Sequence, residues 1–245
     1  MQIDSKALMI TFMFKPALII SLLLLIVSCN PKLANGLRRQ DLKKDVEIIT
    51  DHGTMIIRLS DATPLHRDNF LKLVRQHFYD SILFHRVIQN FMIQAGIPAT
   101  KNTAQALNQM SEKVAYTIPA EFVPSLFHKK GMIAAARTGD EVNPLKASSC
   151  SQFYIIQGKT FTDTQLDSIE TARLKGRKIP LQHRNVYKVT GGAPHLDMSY
   201  TVFGSVIKGL QVVDSIAAEP TSGKMGGDKP LNDVRILKAF LVKRR

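Results

Sequence analysis

The run from Phe84 to Gly96, Phe-His-Arg-Val-Ile-Gln-Asn-Phe-Met-Ile-Gln-Ala-Gly, constrains this chain more than any other segment. A strand with one buried face alternates apolar and polar residues. Here Phe84, Val87, Ile88, Phe91, Met92 and Ile93 leave little solvated surface for Arg86 and Gln94. A guanidinium in such company must have partners. For a lone arginine the plain reading is an ion pair with a core carboxylate, or hydrogen bonds to backbone carbonyls. His85, next to it, reads as a core histidine on the opposite face of the strand, not as a catalyst.

Other segments with strand character are Val46 to Thr50, Thr54 to Leu59, Leu83 to Ile88, Phe91 to Gln94, Val114 to Ile118, Gly131 to Ala136, Gln152 to Gln157, Tyr200 to Val206 and Val234 to Val242. Asp51-His52-Gly53 links the first two as a hairpin would. Thr63-Pro64 predicts a helix start with Thr63 as N-cap, and Leu65, Phe70, Leu73, Val74 and Phe78 recur near helical spacing. A second helix is expected over Gly209 to Ala218. Many short strands with two helices imply a largely antiparallel β-domain, either sandwich or barrel. The stretch from Lys159 to Gly192 differs in kind. It carries a capping-box pattern at Thr162 and Gln165, then Leu166, Ile169 and Ala172, then the basic Lys175-Gly176-Arg177-Lys178, so an amphipathic helix followed by a basic loop is expected.

The N-terminus has its own logic. Pro16 to Val27 is an uncharged apolar run after Lys15, shorter than the about 20 residues that cross a bilayer, which suits the hydrophobic part of a secretory signal. Ile26-Val27-Ser28-Cys29 resembles a bacterial lipobox, whose cysteine is lipidated and becomes the first mature residue. The expected organisation is a signal over 1–28, a lipidated Cys29 with a flexible spacer to Lys44, and a folded domain over 45–245. Translation from Met13 in place of Met1 would give a more compact signal. The expected location is the cell envelope, tethered and facing the periplasm. With Cys29 lipidated, Cys150 reads as a small buried space-filler, and two cysteines in all make no disulfide framework.

The net charge is +13, and residues 1–28 carry only Asp4, Lys6 and Lys15, so the remainder still stands at +12. Such basicity draws anionic partners, but an exported chain without tryptophan or a nucleic-acid-binding motif is not expected to bind nucleic acid. No His-Glu-x-x-His, paired Cys-x-x-Cys or phosphate-cradling glycine loop appears, and Gly226-Gly227 reads as a turn, so no metal or cofactor is expected.

Three segments in order carry a resemblance: Phe84 to Gly96; Gly131 to Arg137 followed by Ser149 to Ile155; and His195-Leu196-Asp197 with Tyr200 to Gly204. Together they resemble the cyclophilin family of peptidyl-prolyl isomerases over about Val46 to Val242. The resemblance implies a closed eight-stranded antiparallel barrel capped by two α-helices, with the 159–192 segment as a helical insertion. It also implies a role for each residue of the groove. Arg86 would be the catalytic cation, and Phe91, Met92, Gln94, Ala136, Arg137, Gln152, Tyr154, Leu196 and Tyr200 would bind substrate, Ala136 and Arg137 through their backbone. The implied partners are proline-containing polypeptides.

Departures from the family pattern are visible. Ala95-Gly96-Ile97-Pro98 replaces the usual Gly-Gly-Asp, His195 stands where tryptophan is common, Tyr200 where histidine is, and Tyr154 where phenylalanine is. Altered ligand preference is expected from those at the rim. The rival reading is a non-catalytic binding module or holdase, whose basic insertion would recruit an acidic partner. Oligomeric state is not legible.

Overall fold

The computed structural model describes residues 36–100 and 116–244; the signal run, Cys29 and the start of the spacer lie outside the described residues. Eight strands close into one antiparallel barrel. They are β1 (Lys44–Thr50), β2 (Gly53–Leu59), β3 (Ile82–Ile88), β4 (Met92–Ala95), β6 (Met132–Ala135), β8 (Phe153–Ile156), β9 (Val202–Lys208) and β10 (Arg235–Lys243). Their order around the wall is β1-β10-β3-β4-β8-β6-β9-β2. Two further short strands, β5 (Thr117–Ile118) and β7 (Ser148–Ser149), pair outside it. Of the strand expected over Val114 to Ile118, positions 114 and 115 lie outside the described residues.

Alternation along the strands sorts side chains between two apolar bodies. Ile93, Ala95, Ile133, Ala135, Phe153 and Ile155 point into the barrel, where they join Val46, Ile48, Ile57, Phe70 and Phe203. Their neighbours Met92, Met132, Ala134, Tyr154 and Ile156 form a second cluster on the outer wall, with Phe91, Ala136, Leu196 and Tyr200 packed against it. Because that outer face is covered too, β6 and β8 are buried throughout, which explains why their sequences read as unbroken apolar runs.

Helices α1 (Pro64–Arg75) and α4 (Leu210–Ala217) pack on the barrel through Phe70, Leu73 and Val74, and through Val212, Val213 and Ile216. Thr63 does occupy the N-cap position of α1, but its side chain caps nothing. Glu121 does that work from a distant loop. One of its oxygens accepts from the backbone N–H of Leu65 and the other from that of His66, both at 3.0 Å. The same carboxylate meets the His66 ring at 2.6 Å.

The segment expected as spacer is folded from its later part onwards. A 3-10 turn over Arg39–Lys43 leads into β1, Leu37 and Leu42 pack on the core, and Asp41 is fully buried against Arg75 and Lys44. The insertion contains two helices instead of one: α2 (Asp163–Ala172), with the reciprocal Thr162 and Gln165 caps in place, and α3 (Leu181–Val189). They enclose a small core of Leu166, Ile179 and Tyr187. The insertion closes on itself where Lys159 bridges Gly192, which also bridges Lys129. Gly192 has φ +155, and a Cβ there would lie 2.3 Å from the His128 carbonyl oxygen and 2.6 Å from the Tyr187 ring.

Candidate functional site

One row of cross-strand partners runs over the outer wall. Arg86 pairs with Gln94, Gln94 with Tyr154, Tyr154 with Ala134 and Ala134 with Val202, across β3, β4, β8, β6 and β9. Strands about 4.8 Å apart therefore place Arg86 roughly 10 Å from Tyr154, with Gln94 between them. In that space lies a pocket of about 160 Å³ lined by Arg86, Phe91, Met92, Gln94, Ala136, Arg137, Tyr154, Leu196 and Tyr200. Nine of the ten sequence-predicted residues meet there. The tenth, Gln152, lines an adjoining groove with Gln94, Ala136 and Arg137, and accepts a hydrogen bond from Gln94 Nε2 at 3.3 Å.

A β-bulge puts Arg86 on this face. Phe84 and Val87 both enter the barrel core, which strict alternation forbids for residues three apart, and the register of β3 against β4 shifts between Phe84 and Arg86. The extra residue is His85. It therefore lies on the outer face with Arg86 and not opposite it, correcting the expectation from alternation. Nor is it a satisfied core histidine, since Nδ1 is buried without a hydrogen-bond partner among the described residues. Burial first, and then the Arg86 charge, hold its pKa down at about 4, so the ring is neutral at physiological pH.

Arg86 has the partner its setting demanded. Its Nε donates to Asp228 Oδ2 at 3.3 Å, and the Asp228 carbonyl accepts from the Val87 N–H at 2.9 Å. The turn foreseen at Gly226-Gly227 delivers Asp228, whose φ is +57. With 42% of its side chain exposed, Arg86 stays open to the pocket. The departure after Gln94 is accommodated too. Gly96 takes φ +106, and a Cβ there would lie 2.2 Å from the Ser151 carbonyl oxygen.

Arg137 contributes more than backbone. Its guanidinium donates to the carbonyls of Ser199 at 2.8 Å and Thr138 at 2.9 Å, pairs with Asp140 at 2.6 Å, and lies over the Tyr200 ring at 4.5 Å. That fixes the rim between the pocket and the groove. Tyr200 in turn meets Tyr154 edge-on, with centroids 5.9 Å apart. Tyr154 is buried, and burial, then Tyr200 and Asp197, push its phenol pKa well up, so it acts as a neutral wall. His195 lies against Phe91 at 5.5 Å. Its pKa is lowered to about 4, chiefly by burial, so it serves as a neutral ring.

Sequence reasoning missed three polar residues behind this pocket: Asp228, His128 and Tyr187. Asp228 had no signal beyond the turn that carries it. His128 and Tyr187 had none, because their roles depend on long-range contacts.

Comparison with known proteins points to one family. The model of the family described as cyclophilin type peptidyl-prolyl cis-trans isomerase/CLD matches residues 45–240. A Staphylococcus haemolyticus protein assigned as a peptidyl-prolyl cis-trans isomerase is 32% identical over 200 residues, covering 80% of this chain and 90% of its own. A Staphylococcus aureus protein with the same assignment is 31% identical over 210 residues, covering 84% and 94%. A Streptococcus pyogenes protein assigned as a bifunctional phosphatase/peptidyl-prolyl cis-trans isomerase is 33% identical over 195 residues, and there the match spans 78% of this chain but only 37% of the relative. A crystal structure of a Cryptosporidium parvum cyclophilin type peptidyl-prolyl cis-trans isomerase superposes with a TM-score of 0.56 at 20% identity, over 82% of this chain and 99% of that one. The same protein was also crystallised in the presence of the dipeptide Ala-Pro. With its barrel, its pocket and a family match over most of its length, the chain belongs to the cyclophilin-type peptidyl-prolyl cis-trans isomerases.

Proposed function

We propose that this enzyme turns X-Pro bonds by using Arg86 to stabilise the twisted amide, and that its clients are exported polypeptides met at a membrane to which Cys29 tethers it. The peptide C–N bond is partly double, and its rotation barrier is about 18–20 kcal/mol. Twisting breaks the resonance and returns a lone pair to the prolyl nitrogen, which becomes a better hydrogen-bond acceptor. A cation held beside that nitrogen binds the twisted state more tightly than either planar isomer, which is catalysis by differential binding. Each 1.4 kcal/mol or so removed from the barrier is worth about tenfold in rate. No nucleophile or proton transfer is required.

The observation that carries this reading is the convergence of Arg86 with an apolar pocket walled by Phe91, Met92, Tyr154 and Leu196. The pocket suits a pyrrolidine ring, and the adjoining groove offers room for the residues before it. The Ala-Pro dipeptide used with the Cryptosporidium protein is the same chemistry. Export and tethering rest on the apolar run and the Ser28-Cys29 junction.

The test is X-Pro exchange in a short proline peptide, read by NMR with the full chain and with Arg86→Ala. Acceleration by the wild type, reduced in the variant by on the order of 100-fold, is the expected result. Binding without acceleration would instead favour the holdase.

A further inference from the structure

The 159–192 insertion reaches the pocket through buried polar groups. Tyr187 on α3 has its hydroxyl 2.7 Å from Asp197 Oδ2. The other oxygen of Asp197 accepts from the His128 backbone N–H and meets ring Nδ1, both at 2.9 Å. On the far side of that ring, Nε2 lies 3.0 Å from the Tyr154 hydroxyl. His128 and Tyr187 are wholly buried, and Asp197 and Tyr154 nearly so. From the insertion, Arg177 also donates to the Asp197 carbonyl at 2.6 Å.

The bonds form one continuous chain from α3 to the pocket wall. Asp197 Oδ1 accepts from the His128 backbone N–H, and the Tyr187 hydroxyl donates to Oδ2, so Asp197 is the acceptor on which the chain converges and Nδ1 is the ring nitrogen turned to it. On the other side of the ring, Nε2 and the Tyr154 hydroxyl form the last bond of the chain. That bond holds the Tyr154 hydroxyl on His128, a fully buried residue outside the pocket lining.

We propose that Tyr187, Asp197 and His128 form a positioning relay through which the insertion sets the Tyr154 wall of the proline pocket. The inference rests on the isomerase reading of that pocket. It gives the insertion a task other than contact with clients. Four of the basic groups expected to face an acidic partner are already engaged within the fold. Lys178 and Arg184 pair with Glu170, Arg184 and Lys188 with Asp163, and Arg177 with the Asp197 carbonyl. None of the three relay residues lines the pocket, so each acts through Tyr154.

Tyr187→Phe removes one oxygen and keeps the ring that fills the insertion core. Two readouts on the full chain decide the matter. The first needs no peptide: NMR of the His128 imidazole nitrogens and the Tyr154 ring should shift in Tyr187→Phe, although that change is three hydrogen bonds away from Tyr154. Unmoved resonances overturn the relay whatever the enzyme's activity, so this result is separate from a failure of the isomerase reading. The second is a double-mutant cycle on binding of a proline tetrapeptide. Tyr187→Phe should weaken binding roughly three- to tenfold alone, and by less than about twofold when Tyr154→Phe is already present. Equal losses in the two backgrounds, or no loss in either, would show that the insertion does not act through the Tyr154 hydroxyl. Should Tyr187→Phe not fold, Tyr154→Phe reads the chain from its other end. It should move the His128 Nε2 resonance, and an unchanged one again overturns the proposal.

Discussion

Asp228 grips Arg86 at two points, by its carboxylate on Nε and by its own carbonyl on the next residue's N–H. A guanidinium that must meet a transient, twisted amide gains from being fixed beforehand. Asp228→Asn keeps a side chain that tolerates the left-handed backbone but removes the charge. It should lower kcat/KM by roughly three- to tenfold with little change in thermal stability, measured by peptide exchange and calorimetry. His85 and His195 give a second prediction. Both are held neutral in the fold down to about pH 4, whereas in the unfolded chain they take up a proton near 6.5. Between those values the unfolded state binds more protons, so their effect on stability is absent above about 6.5 and grows increasingly unfavourable as pH falls towards 4. Urea midpoints measured across that range should fall with pH, and His195→Phe should flatten the trend. The side chains of the pocket were legible because the signature is local in sequence. The face occupied by His85 was not, because a bulge adds one residue to the count and leaves no mark in composition.

Among the elements, the two barrel-capping helices were visible from their apolar spacing, but the cap on α1 was not. A threonine before a proline promised a side-chain cap, yet Thr63 Oγ1 turns towards the Ser60 carbonyl and a carboxylate 55 residues beyond His66 takes its place. Burial alone would raise the Glu121 pKa, but His66 and the two backbone N–H groups outweigh it and hold the carboxyl below its usual range. Glu121→Ala should cost about 1–2 kcal/mol in chemical denaturation, by freeing the start of α1. Helix α3 escaped detection altogether, since Pro180 at its N-cap offers no side-chain acceptor and Tyr187 is the one residue it buries, with Leu181 and Val189 left exposed. Among the polar contacts that join α2 to α3 and to the loop between them is Glu170, held to a pKa of about 2, from an ordinary 4.5, by Lys178 first and then by the Ile179 N–H and Arg184. Its contribution is fully present above about 4.5 and is lost as pH falls through about 2. Hydrogen exchange over the insertion should therefore quicken in that window before the barrel opens, and Glu170→Gln should quicken it at neutral pH.

For the whole molecule, the sequence pattern could not choose between sandwich and barrel; the resemblance chose, and strand order bears it out. Closure depends on pairings between β1 and β10, which are far apart in sequence and cannot be read from either strand alone. The proposed tether makes its prediction at this scale: Cys29→Ser should move the enzyme from the membrane fraction to the soluble one, as read by fractionation, while leaving peptide exchange unchanged. The first and last barrel strands lie side by side, with Lys44 opposite Lys243, and the insertion's own ends meet at Lys159 and Gly192. A barrel whose first and last strands are neighbours is nearly a ring. A short linker from Lys243 to Lys44, with a new opening at Lys175-Gly176, would give a circular permutant in which every strand keeps its neighbours, so the order in which the polypeptide is written is incidental to the barrel it forms.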